Sequence, residues 1–277
     1  MSMKEAIESM IDSISEKAPH SENEYIGEDG LLHCSVCGRA VQFHSVCEPL
    51  GVDKIVRCKC DCKNGLDEFK EREIIEEVER KRRICFNKSK MTKWTFENDD
   101  LKNPTISRAM ENYVKNFTKF KANGKGLLLY GVVGNGKTYY SACIANSLID
   151  MGYSAKLLTV TEIINDLQGM YEGKKEYIDS LNRYSLLILD DLGAESGSEY
   201  QQGIVYNVID SRYSAGLPFI VTTNLTAEEI KKPSDVRHAR IYDRILEKCF
   251  PVEVPGTSRR RQNVKETFAD VKEKLGL

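Results

Sequence analysis

The segment that most constrains this chain is residues 126–152. An apolar run, GLLLYG (126–131), leads straight into GVVGNGKT (131–138), and YYSACIANSLIDMG (139–152) follows as a helical stretch closing at Gly152. G-x-x-x-x-G-K-T between a strand and a helix is a phosphate loop. Its glycines let backbone N–H groups turn inward around phosphates, and the helix N-terminus adds partial positive charge. Gly131, Val133, Gly134, Asn135, Gly136, Lys137, Thr138 and Tyr139 are the expected nucleotide-binding residues. Lys137 is expected to reach the β- and γ-phosphates, and the Thr138 hydroxyl to bind Mg²⁺.

That unit demands a sheet to sit in. Strand-length apolar runs recur at AKLLTV (155–160), SLLILD (185–190), PFIVTT (218–223) and FPVEV (250–254). Helical patterns near 104–121, 137–151, 161–171, 199–214, 226–231 and 238–248 alternate with them. The alternation predicts a five-stranded parallel sheet covered on both faces. In LLILDD, Asp190 ends a buried strand, where open α/β sheets place their ligands. It is expected to hold Mg²⁺, and Asp191 beside it to polarise an attacking water. Glu195 is a second candidate base. Asn224 follows the FIVTT strand and is expected at the γ-phosphate or the lytic water, with Thr223 as a possible helper.

Composition narrows the class. The 277 residues carry 40 Lys plus Arg against 42 Asp plus Glu, which excludes a uniformly basic nucleic-acid coat but not local basic patches. No apolar run reaches the 18 or so residues of a transmembrane helix, so no membrane association is expected. The charged N-terminus lacks the apolar core of a signal peptide, which predicts a cytoplasmic chain with reduced cysteines. Six of nine cysteines fall between 34 and 62. That clustering predicts a structural zinc site on Cys34, Cys37, Cys58 and Cys60, with Cys62 as alternate fourth ligand. His33, His44 and Cys47 are further candidates. A lobe of about 40 residues rarely holds together without such a staple. The expected organisation is a zinc domain over 1–65, a linker over 66–93 and a nucleotide-binding domain over 94–277. The linker stretch LDEFKEREIIEEVERKRR reads as a solvated helix laced with i,i+4 ion pairs.

Taken together, GLLLYGVVGNGKTYYSACIANSLI, LLILDDLGAE, FIVTTNLT, RIYDRI and GTSRRR resemble the AAA+ ATPases, and within them the DnaC/DnaI-type replicative helicase loaders and their IstB-like relatives. The resemblance covers roughly 95–262. The cysteine-rich front is similar to the zinc-bearing N-terminal domain of DnaI-like loaders. The resemblance implies an ATPase in which Gly131–Thr138 match Walker A, Asp190 and Asp191 Walker B, and Asn224 sensor I. Arg244 matches the arginine finger, which reaches a neighbouring subunit's nucleotide. Arg260 matches sensor II, with Arg259 and Arg261 as its near alternatives. Two departures stand out: Asp-Asp replaces the more common Asp-Glu at Walker B, and few residues follow Arg260, so no full helical lid is expected.

The implied function is ATP-dependent delivery of a hexameric replicative DNA helicase to single-stranded DNA. The helicase would be held by the zinc domain and the ATPase would form an ATP-dependent homo-oligomer. ATP, Mg²⁺ and Zn²⁺ are the implied cofactors. Lys174 and Lys175 among Tyr171, Tyr177 and Tyr184 suit phosphate tracking and base stacking; a solvated helix with inward tyrosines is the other reading. An IstB-like transposition helper is the alternative function. A small-molecule P-loop kinase leaves Asn224, Arg244 and Arg260 unexplained.

Overall fold

The computed structural model describes residues 3–18, 24–58, 60, 63–87, 90–193, 198–233, 235–256, 258, 271–272 and 274–275. The chain divides into two compact units, Met1–Glu77 and Val78–Leu277.

The first unit holds helix α1 (Met3–Lys17), an antiparallel pair β1 (Glu24–Ile26) and β2 (Leu32–Cys34), and a hairpin of β3 (Gln42–Cys47) with β4 (Val52–Arg57). Helix α1 lies along β4, tied by Lys54 to Asp12 at 2.6 Å and by the Arg57 N–H to the Ser15 hydroxyl at 3.2 Å. Arg57, almost fully buried, pairs with the Glu24 carboxylate, which offsets the cost of burying its charge.

Helix α2 runs unbroken from Lys63 to Phe86, across most of the expected linker. Its end is not solvated: Cys85 and Phe86 are buried in the core of the second unit, with Met110, Phe117 and Leu148 among the members of that cluster. Burial pushes the Cys85 thiol up to about 12, so it stays neutral. Arg82 and Lys81 of the same helix end reach Asp150 at 2.5 Å and the Gly152 carbonyl at 2.8 Å.

The second unit continues with α3 (Pro104–Lys115), α4 (Phe117–Ala122), β5 (Gly126–Tyr130), α5 (Lys137–Asp150), β6 (Ala155–Thr159), α6 (Val160–Gln168), α7 (Lys174–Leu181), β7 (Leu186–Leu192), α8 (Glu199–Ser214), β8 (Phe219–Thr223), α9 (Ala227–Lys231), α10 (Val236–Lys248) and β9 (Cys249–Glu253). The five strands form one parallel sheet in the order β6-β7-β8-β5-β9.

Side-chain alternation explains why these strands read as continuous apolar runs. Leu128, Leu187, Leu189, Phe219 and Val221 join the core cluster with α6, α8 and α10. Their neighbours Leu127, Leu129, Leu186, Ile188 and Ile220 join the other, with α3 and α5. Both faces are covered, so neither set can be polar. Helix starts are fixed locally: Thr159 and Glu162 form a reciprocal capping box at α6, and the Asp235 carboxylate caps α10.

A buried cation ties together the segments that lead into β7 and β8. Arg212 on α8 is fully buried and donates to the carbonyls of Leu181, Ser185 and Pro218, at 2.9 Å for the shortest. Burial pushes its guanidinium down to about 10, leaving it charged at neutral pH. Arg212→Ala strands those carbonyls. It is expected to cost about 3 kcal/mol, a fall in melting temperature of about 6–12 °C, with nucleotide affinity at low temperature unchanged. A thermal melt with and without ATP checks this, and a melting point within 2 °C or so of the parent contradicts it.

Candidate nucleotide site and cysteine cluster

The C-terminal ends of β5, β7 and β8 converge on one cavity of about 550 Å³. β5 delivers the phosphate loop. Gly131, Gly134 and Gly136 all have positive φ. A side chain at Gly131 would meet the Val254 backbone carbonyl at 2.8 Å, and one at Gly134 the Ser258 side chain. Backbone conformation favours glycine at all three positions, and at Gly131 close approach of a backbone carbonyl requires it as well.

Lys137 is buried at the first position of α5. Its ammonium donates to the carbonyls of Gly131 (2.8 Å) and Val132 (2.9 Å), and to the amide oxygens of Asn135 (3.2 Å) and Asn224 (2.8 Å). Asn135 is itself buried and donates to the Val254 carbonyl. The Asn224 amide has its orientation fixed from both sides. Its oxygen must face Lys137, which can only donate, and its nitrogen donates to Asp191 at 2.7 Å.

Asp190 is buried and accepts from Thr222 at 2.7 Å and from Thr138 at 3.0 Å. Burial raises its carboxyl above the usual range, and the two hydroxyls counteract that. Asp191 has φ +63 where β7 loses regular register between Leu189 and Leu192. In an even strand, consecutive side chains face opposite sides. The irregularity lets both carboxylates line the same cavity. Thr222 locks the arrangement, accepting from the Asp191 N–H at 2.9 Å while donating to Asp190.

Thr138 and Asp190 put a hydroxyl and a carboxylate together, the hard oxygen donors Mg²⁺ requires. Thr223 sits on the opposite side, donating to the Leu192 carbonyl at 2.7 Å. Thr222, two residues before Asn224, was missed in the sequence, although strand alternation puts it on Asn224's side. Lys90, Met91 and Trp94 also line the cavity and carried no motif. Met91 and Trp94 are held by Asn146, whose amide donates to both their carbonyls, and the adjoining Thr95 carbonyl accepts from Tyr139. Val133, Gly136 and Tyr139 line it as well.

Arg244 does not line this cavity; it lies on α10, bonded to Asp210. Glu195, Arg259, Arg260 and Arg261 lie outside the described residues. In the basic-aromatic segment, Tyr171 is fully exposed, while Tyr177 packs on the core and donates to Asp166 at 2.8 Å. Lys174 sits over the Tyr200 ring. Among the described residues, no helix is long and apolar enough to cross a membrane.

In the first unit the Sγ atoms of Cys34, Cys37 and Cys60 lie within 4.8 Å of one another, with Cys37 and Cys60 at 3.2 Å. Tetrahedral zinc with bonds of about 2.3 Å places its sulfurs about 3.8 Å apart, so the trio fits three corners. Cys34 and Cys37 flank a turn closed by the Gly38 N–H on the Cys34 carbonyl at 2.8 Å, with Gly38 at φ +70. Cys58 lies outside the trio, its thiol 3.8 Å from the Ala40 carbonyl, and Cys62 lies outside the described residues. His33 is engaged at both ring nitrogens, by the Gly38 carbonyl and Asp29, which together raise its pKa.

The cavity's composition agrees with what the chain resembles. It matches the family described as IstB-like ATP binding protein over residues 52–267, well over half its length. The chain belongs to that family. Its members' description supplies ATP binding for the loop, and the match begins after Cys34 and Cys37, so it says nothing of zinc. Among curated proteins, it is 27% identical over 281 aligned positions to the replicative helicase loader DnaI of Bacillus subtilis, covering 93% of this chain and 88% of that one. It is 25% identical over 155 positions to the replicative helicase loader DnaC of Escherichia coli K12, covering 54% of this chain and 62% of that one. The crystal structure of DnaI aligns with a TM-score of 0.54 and 28% identity over 65% of this chain and 99% of that one. The second unit of this IstB-like protein therefore has the α/β AAA+-type fold.

Proposed function

We propose that this IstB-like protein is an ATP-hydrolysing replicative helicase loader. The observation that carries the proposal is the similarity to DnaI, which extends over 93% of the chain and so includes residues of both units. In the proposal, the first unit, stapled by zinc on Cys34, Cys37, Cys60 and either Cys58 or Cys62, binds the hexameric helicase. The second unit couples ATP to its delivery onto single-stranded DNA, with Tyr171, Lys174 and Lys175 offering base-stacking and phosphate contacts.

The site supports hydrolysis as follows. Lys137 exchanges protein acceptors, among them the Gly131 carbonyl and Asn224, for the β- and γ-phosphates. Thr138 and Asp190 hold Mg²⁺, which neutralises phosphate charge when bound. Asn224 orients the Asp191 carboxylate, which accepts a hydrogen bond from the attacking water and aligns it. Arg244 serves a neighbouring subunit's nucleotide, and Arg260 contacts the γ-phosphate in its own subunit. Met91 and Trp94 form an apolar wall suited to the nucleotide base.

The deciding experiment is co-purification of the full chain with the replicative helicase of its own host, with and without ATP, followed by helicase loading on single-stranded circles. A stable complex and ATP-dependent loading are expected. No complex under either condition contradicts the loader reading, and binding instead to a transposase points to the transposition-helper function.

A further inference from the structure

The finger assigned to Arg244 has a partner of its own. Arg244 Nε donates to the Asp210 carboxylate of α8 at 2.7 Å. Its guanidinium carbon lies 4.6 Å from the Tyr206 ring centre and 5.6 Å from that of Tyr213. Both distances are within cation–π range. Tyr213 is held in turn by its hydroxyl on Glu247 at 2.8 Å. Arg244 and Asp210 remain partly exposed, with side-chain exposures of 26% and 38%. The two Nη groups make no hydrogen bond to any described residue, so the guanidinium is gripped at its inner edge and across its face while its outer edge stays open. A guanidinium presents its donors in a fixed planar fork, so fixing Nε and the ring plane fixes the direction of the remaining four N–H bonds. One turn before Arg244 on the same helix, Arg240 lines a shallow cavity beside Tyr206, so this face offers more than one positive group to an anionic neighbour.

We infer that Asp210 is a positioning residue for the finger: with Tyr206 it pre-aims the Nη edge of Arg244 at the phosphates bound by an adjacent subunit. The inference rests on the trans-acting reading of Arg244. A finger left to sample rotamers would reach the transferring phosphoryl group in only a fraction of encounters, and a geometry fixed in advance raises that fraction. A carboxylate suits the task because its bond to Nε is charge-assisted and leaves the fork free for bidentate phosphate contact.

The test mixes full-length chains. An acceptor, Arg244→Ala, keeps its nucleotide site and lacks the finger. A donor, Asp190→Asn, keeps the finger and the phosphate loop and cannot turn over its own nucleotide. Each alone is expected to be inert at saturating ATP with poly-dT. Their equimolar mixture is expected to recover up to about a quarter of parental turnover, the share of sites in which an acceptor meets a donor's finger. A donor also carrying Asp210→Ala is expected to restore at least tenfold less, with the KM for ATP unchanged. A donor with Asp210→Asn, whose amide oxygen still accepts from Nε, is expected to fall between. Because the donor's own site is silent, damage there cannot mimic the effect. Equal restoration by the alanine donor overturns the role of Asp210, and so does greater restoration, which would mean that the carboxylate restrains the finger. If the simple mixture restores nothing, the trans reading of Arg244 fails first and the role of Asp210 with it. Should Asp210→Ala lower the melting point markedly, Asp210→Glu, which shifts the acceptor by one methylene, gives the same comparison.

Discussion

Lys137→Ala is expected to lower ATP affinity by two to three orders of magnitude while leaving the fold in place. Four neutral acceptors stand within hydrogen-bond reach of the ammonium's three N–H donors: the Gly131 and Val132 carbonyls and the side-chain amides of Asn135 and Asn224. Exchanging them for phosphate oxygens replaces neutral acceptors with charged ones. Each charge-assisted bond is worth about 1.5–3 kcal/mol, and losing about 3–4 kcal/mol corresponds to roughly 10²–10³ in affinity. The vacated space opens into a cavity of about 550 Å³, so water can satisfy Asn135 and Asn224 and the penalty of stranded acceptors is avoided. Titration with a fluorescent ATP analogue reads the loss, and the unliganded melting point is expected to stay within about 2 °C. Affinity within threefold of the parent would show that the loop's amides, not the lysine, carry phosphate binding.

Much of this site was legible because its determinants are local. The loop's register depends on glycines a few residues apart, and the helix behind it begins at Lys137. Strand positions were equally readable, since each buried strand shows as an unbroken apolar run. What escaped depended on sheet geometry or on segments distant in sequence. Thr222, not Thr223, serves the aspartates, and strand alternation counted back from Asn224 would have chosen it. Asp191 shares a cavity with Asp190 only because β7 departs from regular pairing there, and nothing in LLILDD announces a left-handed aspartate. Met91 and Trp94 reach the cavity through Asn146, more than 50 residues away in sequence. The 66–83 helix is exposed or half-buried at its described side chains, but it runs on past the stretch the sequence marked. Its charge pattern describes the exposed turns, while two residues past that pattern, Cys85 and Phe86, are core. Asp210 was invisible as a partner because 34 residues separate it from Arg244.

Replacing Cys37 and Cys60 together with serine is expected to release zinc and unfold residues 24–60, with ATP affinity changed less than about twofold. The reason is how little else the first unit has. Its buried apolar side chains among the described residues are Ala18, Cys34, Val41, Val52 and Val56. Burying a valine contributes only about 1.5–3 kcal/mol, against about 1–2 kcal/mol of backbone entropy for every residue ordered. The Arg57–Glu24 pair cannot close that gap, since desolvation consumes most of a buried pair's attraction. A structural zinc site supplies about 10–16 kcal/mol, and Cys34, Cys37 and Cys60 already stand at bonding separation. Zinc per chain, with hydrogen exchange across β3 and β4, is the measurement. One zinc retained with a protected hairpin in the double variant excludes this trio. Single Cys58→Ser and Cys62→Ser variants then separate the two candidates for the fourth corner. The true ligand's loss is expected to weaken zinc binding by about 10²-fold or more. The other's loss is expected to leave affinity unaltered, because a thiol not bonded to the metal can be removed without disturbing it. Since the nucleotide site is built entirely from residues after Val78, loss of the metal is expected to separate helicase binding from ATP binding within a single chain.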